Sequence, residues 1–149
     1  MQPLDTLDPL PVSDFTPQST SQVATPPAAR VLLAEDYRQL AKLMEWALIQ
    51  AGYEVTVVHD GRTAVSKLRT EPVDLAILDI DLPELSGFDV CCFLRSQPQL
   101  LDLPVIICSG RDGADDHARA RELRISAFIS KPFVFAELLQ SIREVLPLA

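Results

Sequence analysis

A chain of 149 residues, 48% hydrophobic and 23% charged, has the apolar content for one core of ordinary size and too little length for two. Its formal net charge of −8 and isoelectric point near 4.6 exclude a broad electrostatic grip on nucleic acid or on an anionic membrane, and leave basic or neutral proteins and metal cations as easier partners. The three cysteines, Cys91, Cys92 and Cys108, match neither a disulfide framework nor a zinc site, and no run of about 18 apolar residues offers a bilayer span.

Residues 1–29 hold six prolines, seven Ser or Thr and three aspartates but no Lys or Arg, and their apolar residues lack a period. They read as a disordered tail ahead of a domain over 30–149. No basic stretch followed by an apolar core opens the chain, so no signal peptide is expected and the cytoplasm is the expected compartment.

From Arg30 the character changes. "RVLLAED" is a short β-rich run ending in acids, and apolar residues at Leu40, Leu43, Met44, Ala47, Leu48 and Ala51 then keep helical spacing up to Gly52. Trp46 falls on the polar side of that helix, where it packs partly against the last helix, is harmlessly exposed, or stands as an anchor for a partner. The alternation continues with "YEVTVV" and a helix over 62–70, "VDLAILD" and a helix over about 87–97, and "PVIICS" and a helix over about 113–124. "SAFIS" and a helix over 134–146 complete it, the latter with Leu138, Leu139, Ile142, Val145 and Leu146 on its apolar face. Five strands alternate with five helices, and strands 1, 3 and 4 are continuously apolar. That is the pattern of a parallel sheet covered on both faces, an α/β fold that binds ligands outside the carboxyl ends of its strands. Cys108, inside the fourth strand, is expected as a small buried hydrophobe.

Those ends carry Glu35 and Asp36 after strand 1, Asp79 after strand 3, Ser109 after strand 4 and Lys131 after strand 5. Any one of them alone reads as a helix cap or a solvated charge. Together, three carboxylates are hard ligands suited to Mg²⁺, while an ammonium and a hydroxyl suit a phosphoryl group beside it. The implied chemistry is phosphoryl transfer to a carboxylate. His59 and His117 are expected at the surface without a catalytic role.

The stretches "VLLAEDY", "VDLAILDIDLPELSGFDV", "PVIICSG" and "AFISKPF" give the chain a resemblance to the receiver domain of two-component response regulators over residues 30–147. The resemblance implies a flavodoxin-like (βα)5 doubly wound sheet of strand order 2-1-3-4-5. It also implies that Glu35 and Asp36 hold Mg²⁺, that Asp79 accepts the phosphoryl group and that Lys131 pairs with it. Ser109 then moves to the phosphoryl oxygen, Phe128 is the switch aromatic, and a cis peptide joins Lys131 to Pro132. Asp81 gives the metal its backbone carbonyl while its own carboxylate stays a rim charge. Gly110, Ser86 and Arg124 depart from the residues the family most often has at those positions, without removing a reactive group.

A protein resembling this family catalyses its own phosphorylation and no metabolic turnover. Its partners are a sensor histidine kinase or phosphotransfer protein and a downstream protein target. Phosphorylation alters the face made by helix 4, strand 5 and helix 5, and a phosphorylation-dependent homodimer falls within the same family behaviour. Because the chain closes just after its last helix, a stand-alone, chemotaxis-regulator-like receiver is expected, with a relay to a phosphotransfer histidine as the alternative. Two other readings are an enzyme of the haloacid-dehalogenase-like class, using both aspartates of "DID", and a receiver-like module that binds partners without phosphorylation.

Overall fold

A computed structural model describes residues 27–146. The expected tail therefore lies outside the described residues except for Pro27 to Ala29, and Ala29 already packs on the core. Five strands, β1 (Arg30–Ala34), β2 (Glu54–Val58), β3 (Leu75–Leu78), β4 (Val105–Ser109) and β5 (Ala127–Ser130), form one parallel sheet in the order β2-β1-β3-β4-β5. The helices α1 (Arg38–Gln50), α2 (Gly61–Thr70), α3 (Gly87–Ser96), α4 (Ala114–Glu122) and α5 (Phe135–Val145) follow the strands in turn. This is the expected flavodoxin-like fold, with the order reversing direction between β1 and β3.

Side chains alternate faces along a strand, so each central strand feeds two cores. Leu32, Ala34, Ala76, Leu78, Val105 and Ile107 point to one side, where Ala64 and Leu68 of α2 and Val90, Cys91 and Leu94 of α3 meet them. Val31, Leu33, Leu75, Ile77, Ile106 and Cys108 point to the other, against Met44 and Leu48 of α1 and Leu138 and Ile142 of α5. The strands read as unbroken apolar runs because both faces are dry. Burial pushes the thiols of Cys91 and Cys108 up to about 12, so both behave as packed hydrophobes.

The seat of α1 differs from the expected one. Ala41, Met44, Ala47 and Leu48 are buried, while Leu43 is 55% exposed and Ala51 is also exposed. A small residue at 41 lets the helix turn its Ala41–Met44–Leu48 line onto the sheet, and that rotation swings Leu43 out to solvent. Trp46, at 62% exposure, stands beside it and packs into neither core cluster.

Two helices end in the same hydrogen-bond pattern with different residues at its key position. After α1, Gly52 N donates to Ile49 O and Tyr53 N to Leu48 O, with Gly52 at φ 99°. After α4, Arg124 N donates to Arg121 O and Ile125 N to Ala120 O, with Arg124 at φ 57°. Both are Schellman closures, whose left-handed residue is normally glycine because a Cβ crowds the carbonyl there. Arg95 of α3 grips this second closure through backbone carbonyls alone, with Nε on Leu123 O at 2.8 Å and Nη2 on Arg124 O at 3.2 Å. Replacing the Arg124 side chain therefore leaves those bonds intact. Arg124→Gly is expected to raise unfolding stability by about 1 kcal/mol, read as a higher urea midpoint at unchanged slope; an unchanged or lower midpoint would show that the conformation carries no strain.

Candidate functional site

At the carboxyl edge of the sheet, the backbone continues its pairing for one residue past the central strands. Glu35 N donates to Val58 O at 3.1 Å and Asp79 N to Ala34 O at 3.1 Å, which carries both acids forward on rigid backbone. Glu35 is 1% and Asp79 7% exposed, whereas Asp36, one step further, is open to solvent. On the other flank, Lys131 N donates to Ser109 O at 2.9 Å, and the Lys131–Pro132 peptide is cis as expected.

These placements converge. Lys131 Nζ donates to Glu35 Oε1 at 2.6 Å and to Asp79 Oδ2 at 2.9 Å, joining the ends of β1, β3 and β5. The remaining oxygens meet backbone: Tyr37 N donates to Glu35 Oε2 at 3.1 Å, and Asp81 N to Asp79 Oδ1 at 3.2 Å. Gly87, opening α3, sits so close below that a Cβ there would lie 2.2 Å from Asp79 O. Only glycine allows α3 to seat against the acidic loop.

The charges respond differently to burial. For Glu35, loss of solvent is the largest influence and pushes its carboxyl above the ordinary carboxylate value, against the pull of Lys131 and the Tyr37 amide. For Lys131, burial is also the largest single influence and acts downward, but hydrogen bonds and charge from both Glu35 and Asp79 together outweigh it and hold the ammonium above its ordinary value. One cation is shared by two anions, so it gains from both while Glu35 gains from a single cation and is repelled by Asp79.

One carboxylate oxygen from each of Glu35, Asp36 and Asp79 lies within 4.8 Å of the others. With all three ionised, a single ammonium leaves two negative charges uncompensated. An oxygen-only donor set with surplus negative charge fits a hard divalent cation such as Mg²⁺.

Around this centre the other expected residues divide. Ser109 is fully buried, and its Oγ accepts from Arg111 N at 3.1 Å. The Asp81 side chain is 63% exposed and pairs with Arg111 Nη1 at 3.2 Å, in keeping with a rim charge. Phe128 lies half-buried on β5. It is covered by His117 of α4, whose ring stacks on it at a centroid distance of 4.1 Å and is paired with Asp112. Both histidines lie partly exposed at the surface, as expected, and each is engaged by a neighbour. His59 is half-buried, with Nδ1 2.9 Å from Glu35 O; a carbonyl can only accept, so that nitrogen carries the proton and braces the acidic loop. Arg111, which the sequence reading passed over, ties the β4–α4 loop both to Asp81 and, at 2.8 Å, to Asp116. No motif marks it; an arginine in a polar loop gives no sign of its partners.

The family profile described as response regulator receiver domain matches residues 31–143. The chain belongs to this receiver family. Curated relatives include the sensory transduction protein RegX3 of Mycolicibacterium smegmatis, 37% identical over 116 residues, which are 78% of this chain and 50% of that protein. The transcriptional regulatory protein TctD of Salmonella typhimurium is 38% identical over 117 residues, covering 78% of this chain and 51% of the relative. The receiver thus spans about half the length of the curated relatives it matches. Among solved structures, the non-phosphorylated HemR receiver domain of Leptospira biflexa superposes with a TM-score of 0.75 at 31% identity, covering 81% of this chain and 96% of that one. The chemotaxis response regulator CheY4 of Vibrio cholerae superposes with a TM-score of 0.75 at 27% identity, covering 80% and 99%. No helix among the described residues is long and apolar enough to cross a membrane.

Two buried carboxylates sharing one ammonium repel each other, so neutralising one relieves the site. Asp79→Asn is expected to raise stability in divalent-free buffer by about 1 kcal/mol. Added Mg²⁺ should stabilise the native chain and leave the variant almost unmoved; urea melts with and without the metal test both outcomes. The raised Glu35 carboxyl sets a sign. Its contribution is fully present below the ordinary value of 4.5 and is lost as pH rises through its higher folded value. Glu35→Gln is accordingly expected to flatten that descending limb in a pH series of melts.

Proposed function

We propose that this receiver accepts a phosphoryl group on Asp79 from the phosphohistidine of a sensor histidine kinase or phosphotransfer protein, and that the modified form is read by another protein. The observation that carries the reading is the placement of Lys131 Nζ 2.6 Å from Glu35 and 2.9 Å from Asp79, on an edge that also holds Asp36 and Ser109.

A carboxylate is a weak nucleophile toward an anionic donor, and the site's own groups address that. The Asp81 amide and Lys131 fix the two oxygens of Asp79, so attack proceeds from a held group with little loss of freedom. One carboxylate oxygen forms the new P–O bond as the P–N bond to the donor imidazole breaks, and the released nitrogen regains its electron pair. Lys131 moves from the carboxylate it holds to the phosphoryl oxygens, where the negative charge now lies. Glu35, Asp36, Asp79 and the Asp81 carbonyl would hold Mg²⁺, which would supply the positive charge that lets donor and carboxylate approach.

The product carries about one more negative charge and new acceptor oxygens. Ser109 is the hydroxyl we assign to bond them, and its position at the end of β4 supports the assignment. Its Oγ accepts from Arg111 N, Arg111 holds Asp81 and Asp116, and the neighbouring Asp112 pairs with His117 over Phe128. A shift of Ser109 therefore pulls on a contiguous set of contacts that reaches α4 and β5, which supports a readout on the α4, β5 and α5 face.

Incubation with Mg²⁺ and phosphoramidate, followed by intact-protein mass measurement, tests the assignment. The native chain is expected to gain one phosphoryl group and Asp79→Asn none, while Asp81→Asn keeps the label with an altered lifetime. A native chain that gains no mass overturns the function, and a label that survives Asp79→Asn overturns the acceptor.

A further inference from the structure

The exposed side of α1 has the make-up of a covered surface. Leu43 (55% exposed), Trp46 (62%) and Ile49 (50%) follow at steps of three, a slanting apolar stripe about 9 Å long at a rise of about 1.5 Å per residue. Arg38 and Lys42 are exposed on the same helix, and neither forms an ion pair among the described residues. Apolar side chains bordered by unpaired cations call for a ligand that is apolar and acidic.

The chain itself contains one. "LDTLDPLPVSDF", residues 4–15, interleaves Leu4, Leu7, Leu10, Val12 and Phe15 with Asp5, Asp8 and Asp14, and holds no Lys or Arg. It is also delivered to the right place. Ala29 O accepts from Glu54 N at 2.9 Å, and Ala29 packs on the cluster that contains Leu48 and Tyr53, so the chain enters β1 beside the C-terminal end of α1. Phe15 precedes Pro27 by twelve residues (27 − 15), which at about 3.3 Å each span up to about 40 Å, several times the length of the stripe. A ligand tethered at that range acts at an effective concentration on the order of millimolar, so weak contacts suffice.

We propose that residues 4–15 dock on the α1 stripe of their own chain, with the leucines and Phe15 against Leu43, Trp46 and Ile49 and the aspartates toward Arg38 and Lys42. The interaction is independent of phosphorylation at Asp79.

Trp46 is the only tryptophan of the chain, so its emission reports directly on this contact. In the full chain, the combined variant Leu7→Ser, Leu10→Ser and Phe15→Ser is expected to shift that emission to the red and to strengthen its quenching by acrylamide. The variant Asp5→Asn, Asp8→Asn and Asp14→Asn should do the same in part, and high salt should reduce the difference from the native chain. The substituted residues lie outside the described fold, and an unchanged urea midpoint of the core confirms that only the contact was lost. A synthetic peptide of residues 1–20, added to the leucine variant, should restore the blue-shifted emission. Native emission and quenching equal to those of both variants would overturn the proposal, as would a native signal that depends on protein concentration, which would assign the stripe to a second copy.

Discussion

The ammonium of Lys131 between Glu35 and Asp79 is the contact on which the carboxyl edge depends. Bringing a lone lysine to 20% side-chain exposure, or Glu35 to 2%, costs several kcal/mol in lost hydration. A single opposite charge in a medium of effective dielectric near 20 returns about 4 kcal/mol at 4 Å. Two carboxylates at hydrogen-bonding distance keep Lys131 charged; one shared ammonium leaves Glu35 with a raised carboxyl. The edge is therefore compact yet electrostatically unfinished, which is the condition a cation or an arriving group with its own charge can exploit.

The same contact explains how a short peptide segment becomes structural. β5 is four residues long and lies at the margin of the sheet, yet it brings Phe128, Ser130 and Lys131 into register with β4 through Ile107, Ser109 and the Ser109 carbonyl. The lysine then reaches across the end of β4 to β3 and β1. A residue distant in sequence thus locks the central strands to the edge strand from above, while the apolar side chains of Ile106, Ile107 and Ile129 do so from within the cores.

Much of this was legible in the sequence, for a physical reason. Strands dry on both faces are unbroken apolar runs, so "VLLA", "LAIL" and "VIIC" announce themselves, and the first polar residue after each must stand at the carboxyl edge; Glu35, Asp79 and Ser109 were found that way. Periodicity was a weaker guide for α1, since a thirteen-residue helix with leucines, alanines and isoleucine on several sides offers more than one apolar line. The seat was decided by the small Ala41, which no count of large hydrophobics favours. Contacts made by the loops and by the start of α4 were not legible at all: Arg111 with Asp81 and Asp116, and His117 with Asp112 and Phe128, join residues whose partners are set by how the β4–α4 connection falls once the sheet is built.

Arg95 bears on how α4 can move. Besides Leu123 and Arg124, its guanidinium holds the carbonyls of Leu101 and Leu103, so one side chain fastens the exit of α4 to the α3–β4 connection, far from the acidic edge. At its entry α4 is held by surface contacts, the Gly113–Asp116 cap, the Arg111 pair and the stack of His117 on Phe128, and Ala120 is its sole buried residue. A rod secured at one end and lightly held at the other pivots. Motion introduced near Ser109 would be greatest at the start of α4 and would vanish toward Leu123, making the helix a lever whose fulcrum is a single arginine of its neighbour.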